Sequence, residues 1–235
     1  MNVANSMSRA GLSLALAALT ACSQSPAGKS VVTGGTPLLD AFLTAYGKPA
    51  PYTTLDDSGD QVTYSPQALE DVAPGVVALI SKGEIPNGCR ACGGALSINY
   101  LKHDASGYSR LGSWPEIGGK GEFGKALPWT TRTDIDNGPT LVTTRLEKES
   151  GCSAAFQELI TLTPQKPVKI ATVVVATAYA PAAGEQAGPH VTGQVVPIER
   201  GRRFAVKLSG SNSVRQVFIR KGDVFTTQDP GATGC

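Results

Sequence analysis

The clearest regular pattern near the start of the chain is helical. Apolar residues fall at Leu38, Leu39, Phe42, Leu43 and Tyr46, and that spacing of three and four gathers them on one helix face. Thr36 and Pro37 stand where an N-cap and a first helical residue belong, and Gly47 supplies the stop. A helix is therefore predicted over 36–46. The same cap-and-proline arrangement at Ser65-Pro66 predicts a second, shorter helix that runs to about Val72 and is closed by Pro74-Gly75. From Val76 onward the period falls to two. Leu96, Ile98 and Tyr100 lie on one side of a predicted strand, with Ser97 and Asn99 on the other. Phe204, Val206 and Leu208 alternate with Arg203, Ala205 and Lys207, so that strand should have one wet face. Residues 168–179, with Val173-Val174-Val175 at their centre, are apolar on both faces and read as a buried central strand.

Between these runs lie turn signals at 104–107, Ser150-Gly151, 164–167, Arg200-Gly201 and Lys221-Gly222-Asp223. Eight or nine strands joined by short turns predict a mainly β protein. The expected fold is an antiparallel sandwich or barrel-like domain with one or two short N-terminal helices. No repeat of fixed period argues for a propeller or solenoid.

The first 21 residues follow a different logic. Arg9 is their only charged side chain, and the apolar stretch from Gly11 to Leu19 follows it, the order of an export signal. A run of that length falls short of the roughly 20 helical residues a bilayer span needs. The stretch ends Leu19-Thr20-Ala21-Cys22, which resembles the lipobox of bacterial lipoproteins. The resemblance covers only the leader. It implies a signal peptide over 1–21, cleavage before Cys22 and lipid on that cysteine. Several acyl chains anchor durably, since each buried methylene contributes roughly 0.8 kcal/mol. Ser23 follows, not the Asp that resembles an inner-membrane retention signal, so in a host with two membranes the outer one, facing the periplasm, is expected.

Residues 22–35 then comprise the lipidated Cys and a flexible tether of small polar residues. A single β-rich domain is expected over 36–228, with a flexible tail over 229–235. The whole chain carries 41% hydrophobic and 17% charged residues, with 27 Gly and 16 Pro, the composition of a folded, turn-rich protein. Its net charge of +2 falls to +1 once the leader and Arg9 are removed, and nothing in that balance points to nucleic acid.

Cys89, Cys92, Cys152 and Cys235 remain after Cys22, an even set that predicts disulfides in an oxidising compartment. Four cysteines allow three pairings, and a local Cys89–Cys92 bridge is the favoured one. A redox role for Cys89-Arg90-Ala91-Cys92 is disfavoured, because Gly93-Gly94 and a strand follow where thioredoxin-like proteins continue a helix. The two histidines, His103 and His190, fall in loops, and no nucleophile elbow, phosphate loop or metal-binding helix is present. No cofactor or metal is called for. Two acidic stretches, 56–60 and 134–138, lack the calcium ladder of an EF-hand and read as turns. Trp114 and Trp129 with Tyr108 could line an aromatic platform for carbohydrate, although aromatics in a small β-domain more often pack in the core or rim.

One segment is strongly charged. Arg200, Arg202, Arg203, Lys207, Arg215, Arg220 and Lys221 face a single acid, Glu199, within 199–221. If hairpins align them, they form a basic patch suited to anionic lipid, envelope polysaccharide or an acidic protein partner. Replacing Arg200, Arg202 and Arg203 together by Ser is then expected to weaken vesicle binding with little loss of stability. The resulting expectation is a lipid-anchored envelope protein whose domain is a non-enzymatic binding or assembly module. The alternative is a periplasmic redox or hydrolytic enzyme using the Cys89-Cys92 pair or a loop histidine.

Overall fold

Among the described residues, a helix is followed by thirteen strands. The computed structural model describes residues 36–149, 151–179, 190–211 and 213–229; the expected signal peptide, Cys22, the expected tether and Cys235 lie outside the described residues. The elements are α1 (Thr36–Tyr46), β1 (Tyr52–Leu55), β2 (Gln61–Ala73), β3 (Val76–Glu84), β4 (Ala95–Asp104), β5 (Gly107–Lys120), β6 (Trp129–Arg132), β7 (Thr140–Glu149), β8 (Cys152–Leu162), β9 (Pro167–Tyr179), β10 (His190–Glu199), β11 (Arg203–Gly210), β12 (Val214–Lys221) and β13 (Val224–Thr226). Strands β1 to β5 form one antiparallel sheet in chain order, and β6 to β13 form a second. The second is curled into a half-barrel. Within each sheet every strand pairs antiparallel with its chain neighbour, and the chain changes sheet between β5 and β6. The strand count exceeds the expected eight or nine, since β1, β6 and β13 are short edge strands that periodicity alone does not separate from loops, and β2 occupies the segment expected as a second helix.

The chain stacks in layers. One face of α1 buries Leu38, Ala41, Phe42 and Ala45 against Leu69, Val77, Leu79 and Leu101 of the five-stranded sheet. The other face of that sheet offers Ala68, Ala78, Ile80, Leu96, Ile98 and Tyr100, which pack on Leu141, Ile160 and Leu162 of β7 and β8. Those strands are themselves covered on both sides, for Val142 and Leu159 point into a separate core inside the curl with Phe204, Val206, Leu208, Phe218 and Phe225. The alternation of strand side chains thus serves two cores at once. Val173 and Val175 join the core inside the curl, and β9 lies centrally, as expected. Val174, on the opposite face, is only half-buried.

The second predicted helix does not form. Residues 61–73 are strand β2, whose Tyr64 pairs with Tyr52 and whose Glu70 pairs with Ala78. Its Pro66 lies beside a register shift between Pro66 and Ala68, where a missing N–H does least harm to the ladder. Ala68 and Leu69 face opposite cores, a demand that a strand meets and a one-sided helix does not. Pro74-Gly75 is accordingly a hairpin turn, with Gly75 at φ 70°. The turns at 104–107, 164–167, Arg200-Gly201 and Lys221-Gly222-Asp223 fall where the sequence places them, while Ser150 of the expected Ser150-Gly151 turn lies outside the described residues. Asp229, assigned to the tail, accepts a hydrogen bond from the Val217 N–H at 2.8 Å, so it is tied to β12.

Candidate functional site

Glycine decides where the surface opens. Near the ends of β3 and β4, Gly88, Gly93, Gly94, Gly121 and Gly124 pack backbone against backbone so closely that a Cβ on any of them would lie between 1.9 and 2.6 Å from main-chain atoms. The Gly124 N–H donates to the Cys92 carbonyl at 2.7 Å, and the Ile85 N–H donates to the Gly124 carbonyl at 2.9 Å. Cys89 and Cys92 are joined by a disulfide, which closes the turn between Gly88 and Gly93. The favoured local bridge is present, and it stiffens a loop. Cys152 is disulfide-bonded as well. Phe123, largely exposed with φ 52°, rides on this stack beside Glu122, which faces Arg90 at 3.9 Å.

Next to that stack lies an open cleft of about 470 Å³. Gly83, Gly93 and Gly94 line it with bare backbone, Val62 and Tyr64 add apolar surface, and Ser97 adds a hydroxyl. Gly83 pairs with Tyr64, and a Cβ there would sit 2.8 Å from the Tyr64 ring. One edge of the ring therefore closes over the glycine. One wall is the β1–β2 turn, in which Asp56 Oδ1 accepts the Ser58 and Asp60 N–H groups at 2.9 Å. This acidic stretch is the turn expected, and it puts Asp56 and Asp57 at the cleft. The opposite wall carries Glu116, whose carboxylate is 3.0 Å from Lys120. Glu116 holds φ 59°, a conformation that costs a non-glycine residue energy and clusters at functional positions. Burial pushes the Tyr64 phenol above its ordinary value, and Tyr46, Asp56, Glu116 and Asp57 push it further.

The other acidic stretch is treated differently. Asp136 is buried: its Oδ1 takes Arg220 Nη1 at 2.6 Å and the Asn137 N–H at 2.8 Å, and its Oδ2 takes the Thr161 hydroxyl at 2.8 Å. Burial alone would raise its carboxyl, but these donors outweigh it and hold the group below its ordinary value. Arg132 clasps Asp134 with two nitrogens at 2.9 and 2.8 Å and reaches the Val195 carbonyl at 2.8 Å, holding Asp134 below its usual range. Arg200 donates to the carbonyls of Asp136 and Asn137 at 2.9 and 3.0 Å. The β6–β7 loop is thereby latched onto the β10–β11 turn and the end of β12.

The basic segment divides accordingly. Arg220 and Arg200 belong to the latch, and Arg202 and Arg203 both pair with Glu199 at 3.1 Å. Lys207 and Arg215 are cross-strand neighbours on the exposed face, and among the described residues neither they nor Lys221 has an acid within 4.0 Å. The expectation that Arg200 can be removed cheaply is corrected, because its guanidinium satisfies two loop carbonyls. The aromatic platform does not assemble: Trp114 packs edge-on against Tyr100 between the sheets, Trp129 flanks the same core, and Tyr108 belongs to the helix side. Tyr108 stacks on His103 at the hairpin, while His190 begins β10. Neither histidine lines the cleft.

Among the described residues, no group of three or more His, Cys, Asp or Glu is arranged to hold a metal ion, and no helix is long and apolar enough to cross a membrane. Compared with known proteins, the chain matches no family model, no curated protein and no solved structure. Sequence reasoning missed the cleft. Its signal was present in the density of glycine over 83–94 and 118–124, far above what hairpin turns require.

Proposed function

We propose that this is an exported envelope protein, anchored by lipid on Cys22, whose β-domain is a binding module with the cleft of the five-stranded sheet as its ligand site. The cleft carries this reading. Its volume lies in the range of small-molecule sites, roughly 300–1,000 Å³, and its walls are preorganised by the glycine stack and the disulfide, which limits the ordering cost of binding. The lining supplies carboxylates, one ammonium, a phenol and hydroxyls, groups that recognise without a paired nucleophile and base. The lipobox supports the anchor, and a disulfide in the domain suits an oxidising compartment. In a host with two membranes, the domain would face the periplasm from the outer one.

Two measurements test the two halves. Metabolic labelling with a fatty acid should mark the wild-type chain and not Cys22→Ser, and an unlabelled wild type that begins at another residue refutes the anchor. For the module, the lipid-free mature chain is screened by amide NMR against a library of small amphiphiles. Shifts concentrated at Tyr64, Gly94, Ser97 and Glu116 are expected, and a library that moves none of them refutes the cleft.

A further inference from the structure

We infer that the cleft selects a cation carried on an apolar body, an alkyl- or arylammonium, with the ammonium held among Asp56, Asp57 and Glu116 and the hydrocarbon laid on Tyr64 and Val62. This rests on the cleft being a binding site, and names the class of ligand it takes. The lining holds three carboxylates, Asp56, Asp57 and Glu116, and one cation, Lys120, a net charge of −2 (three negative, one positive). The field is felt by the groups within it. Beyond burial, which is the main cause of the raised Tyr64 phenol, Asp56, Glu116 and Asp57 press it further toward its protonated form, and Lys120 is held protonated chiefly by Glu116, with Asp56 and Asp60 adding to it.

Geometry adds what charge alone does not. Asp56 is fixed by two backbone N–H groups, so its negative charge is preoriented. Glu116 is carried to the opposite wall by a left-handed backbone. Tyr64 supplies an aromatic ring in the lining, and the face of such a ring attracts ammonium groups. Lys120 then acts as an internal competitor. It pairs with Glu116 at 3.0 Å, and an entering ammonium replaces it there. The consequence is a sign that distinguishes this reading from its opposite: removing Lys120 should tighten binding of a cation, whereas a site for anions would lose its one positive group.

The probes are 3-phenylpropylammonium, 3-phenylpropanol and 3-phenylpropionate, which share one apolar body, titrated into the isotope-labelled, lipid-free mature chain at neutral pH. At low salt the ammonium should bind about five-fold more tightly than the alcohol, with the advantage shrinking at high salt, and the carboxylate should bind most weakly. Asp57→Asn and Glu116→Gln should each weaken the ammonium about three-fold. Lys120→Gln should strengthen it by about the same factor. Alcohol or carboxylate binding as tightly as the ammonium, or weaker ammonium binding in Lys120→Gln, overturns the ligand class while leaving the binding module standing. No shift at the cleft amides with any probe overturns both.

Discussion

Two acidic turns of nearly the same composition, 56–60 and 134–138, meet opposite fates in this fold. The second is drawn under the turns of the curled sheet, where three arginines receive its carboxylates and carbonyls. The first closes a hairpin at the edge of the flatter sheet and keeps its charges beside a cleft. The carboxylates do not differ in kind, although the second turn also buries Ile135 in the core inside the curl. What differs is whether the surrounding strands bring a counter-charge and exclude water, because a carboxylate leaves water only when donors replace it. One turn is therefore part of the fold's closure and the other is available to a ligand.

The largest expected contrast is in stability. Asp136→Ala removes the acceptor of Arg220, Asn137 and Thr161 at a buried position and should cost about 3 kcal/mol, whereas Asp57→Ala should stay within about 0.5 kcal/mol. Urea melts of both variants measure it, and equal midpoints would erase the distinction. A smaller loss, about 1 kcal/mol, is expected for Arg200→Ser, which releases two carbonyls at the rim of the latch.

Acid should expose the same contrast. Because the folded-state pKa of Asp136 is depressed, its contribution is fully present above the unfolded aspartate value of about 3.9 and is lost as pH falls through the folded value. Glu70 has the reverse sign. Its place opposite Ala78, itself opposite Tyr100, puts it between the sheets, and burial raises its carboxyl against the opposing pull of Thr131, with Asp71 adding to the rise. Its ionisation therefore costs stability as pH climbs from the ordinary glutamate range through the raised value. In melts across pH, Asp136→Asn should flatten the acid limb, and Glu70→Gln should raise the midpoint at neutral pH while leaving it unchanged in acid. A Glu70→Gln midpoint that rises equally at both ends would contradict the assignment.

How far these features could be read in advance depended on the range of the interactions behind them. Helix α1 was legible because its apolar positions repeat with its period, although Leu39 and Leu43 of the expected face stay exposed and Ala41 and Ala45 are buried in their place; the hairpin turns were legible because Gly, Pro and Asp act on their own backbone. Strand β2 was misread as helix because Ser65-Pro66 is a local signal, while pairing to β1 and β3 and burial of Ala68 and Leu69 on opposite faces are not local. The latch was illegible for the same reason: Asp136 and Arg220 are 84 positions apart. Nothing in the spacing of the seven cations told which would be consumed by the fold.

That sorting leaves the smallest and sharpest prediction. Lys207 and Arg215 lie side by side on the outer face of β11 and β12, away from the latch, so their side chains contribute charge and little packing. Replacing both by Ser should change stability by no more than about 0.5 kcal/mol. If the outer face meets anionic lipid, each lost cation removes roughly 1 kcal/mol of attraction within a Debye length of about 8 Å at physiological salt. The double variant of the lipid-free chain should then cosediment less with phosphatidylglycerol vesicles at low salt, with the difference closing at high salt. Arg202→Ser with Arg203→Ser should do less, because Glu199 already holds that pair at 3.1 Å and the substitution removes charge that is partly cancelled. Equal binding by wild type and the Lys207/Arg215 variant would make the face a solvated sheet surface, whose cations serve only to keep strands β11 and β12 from pairing with other chains.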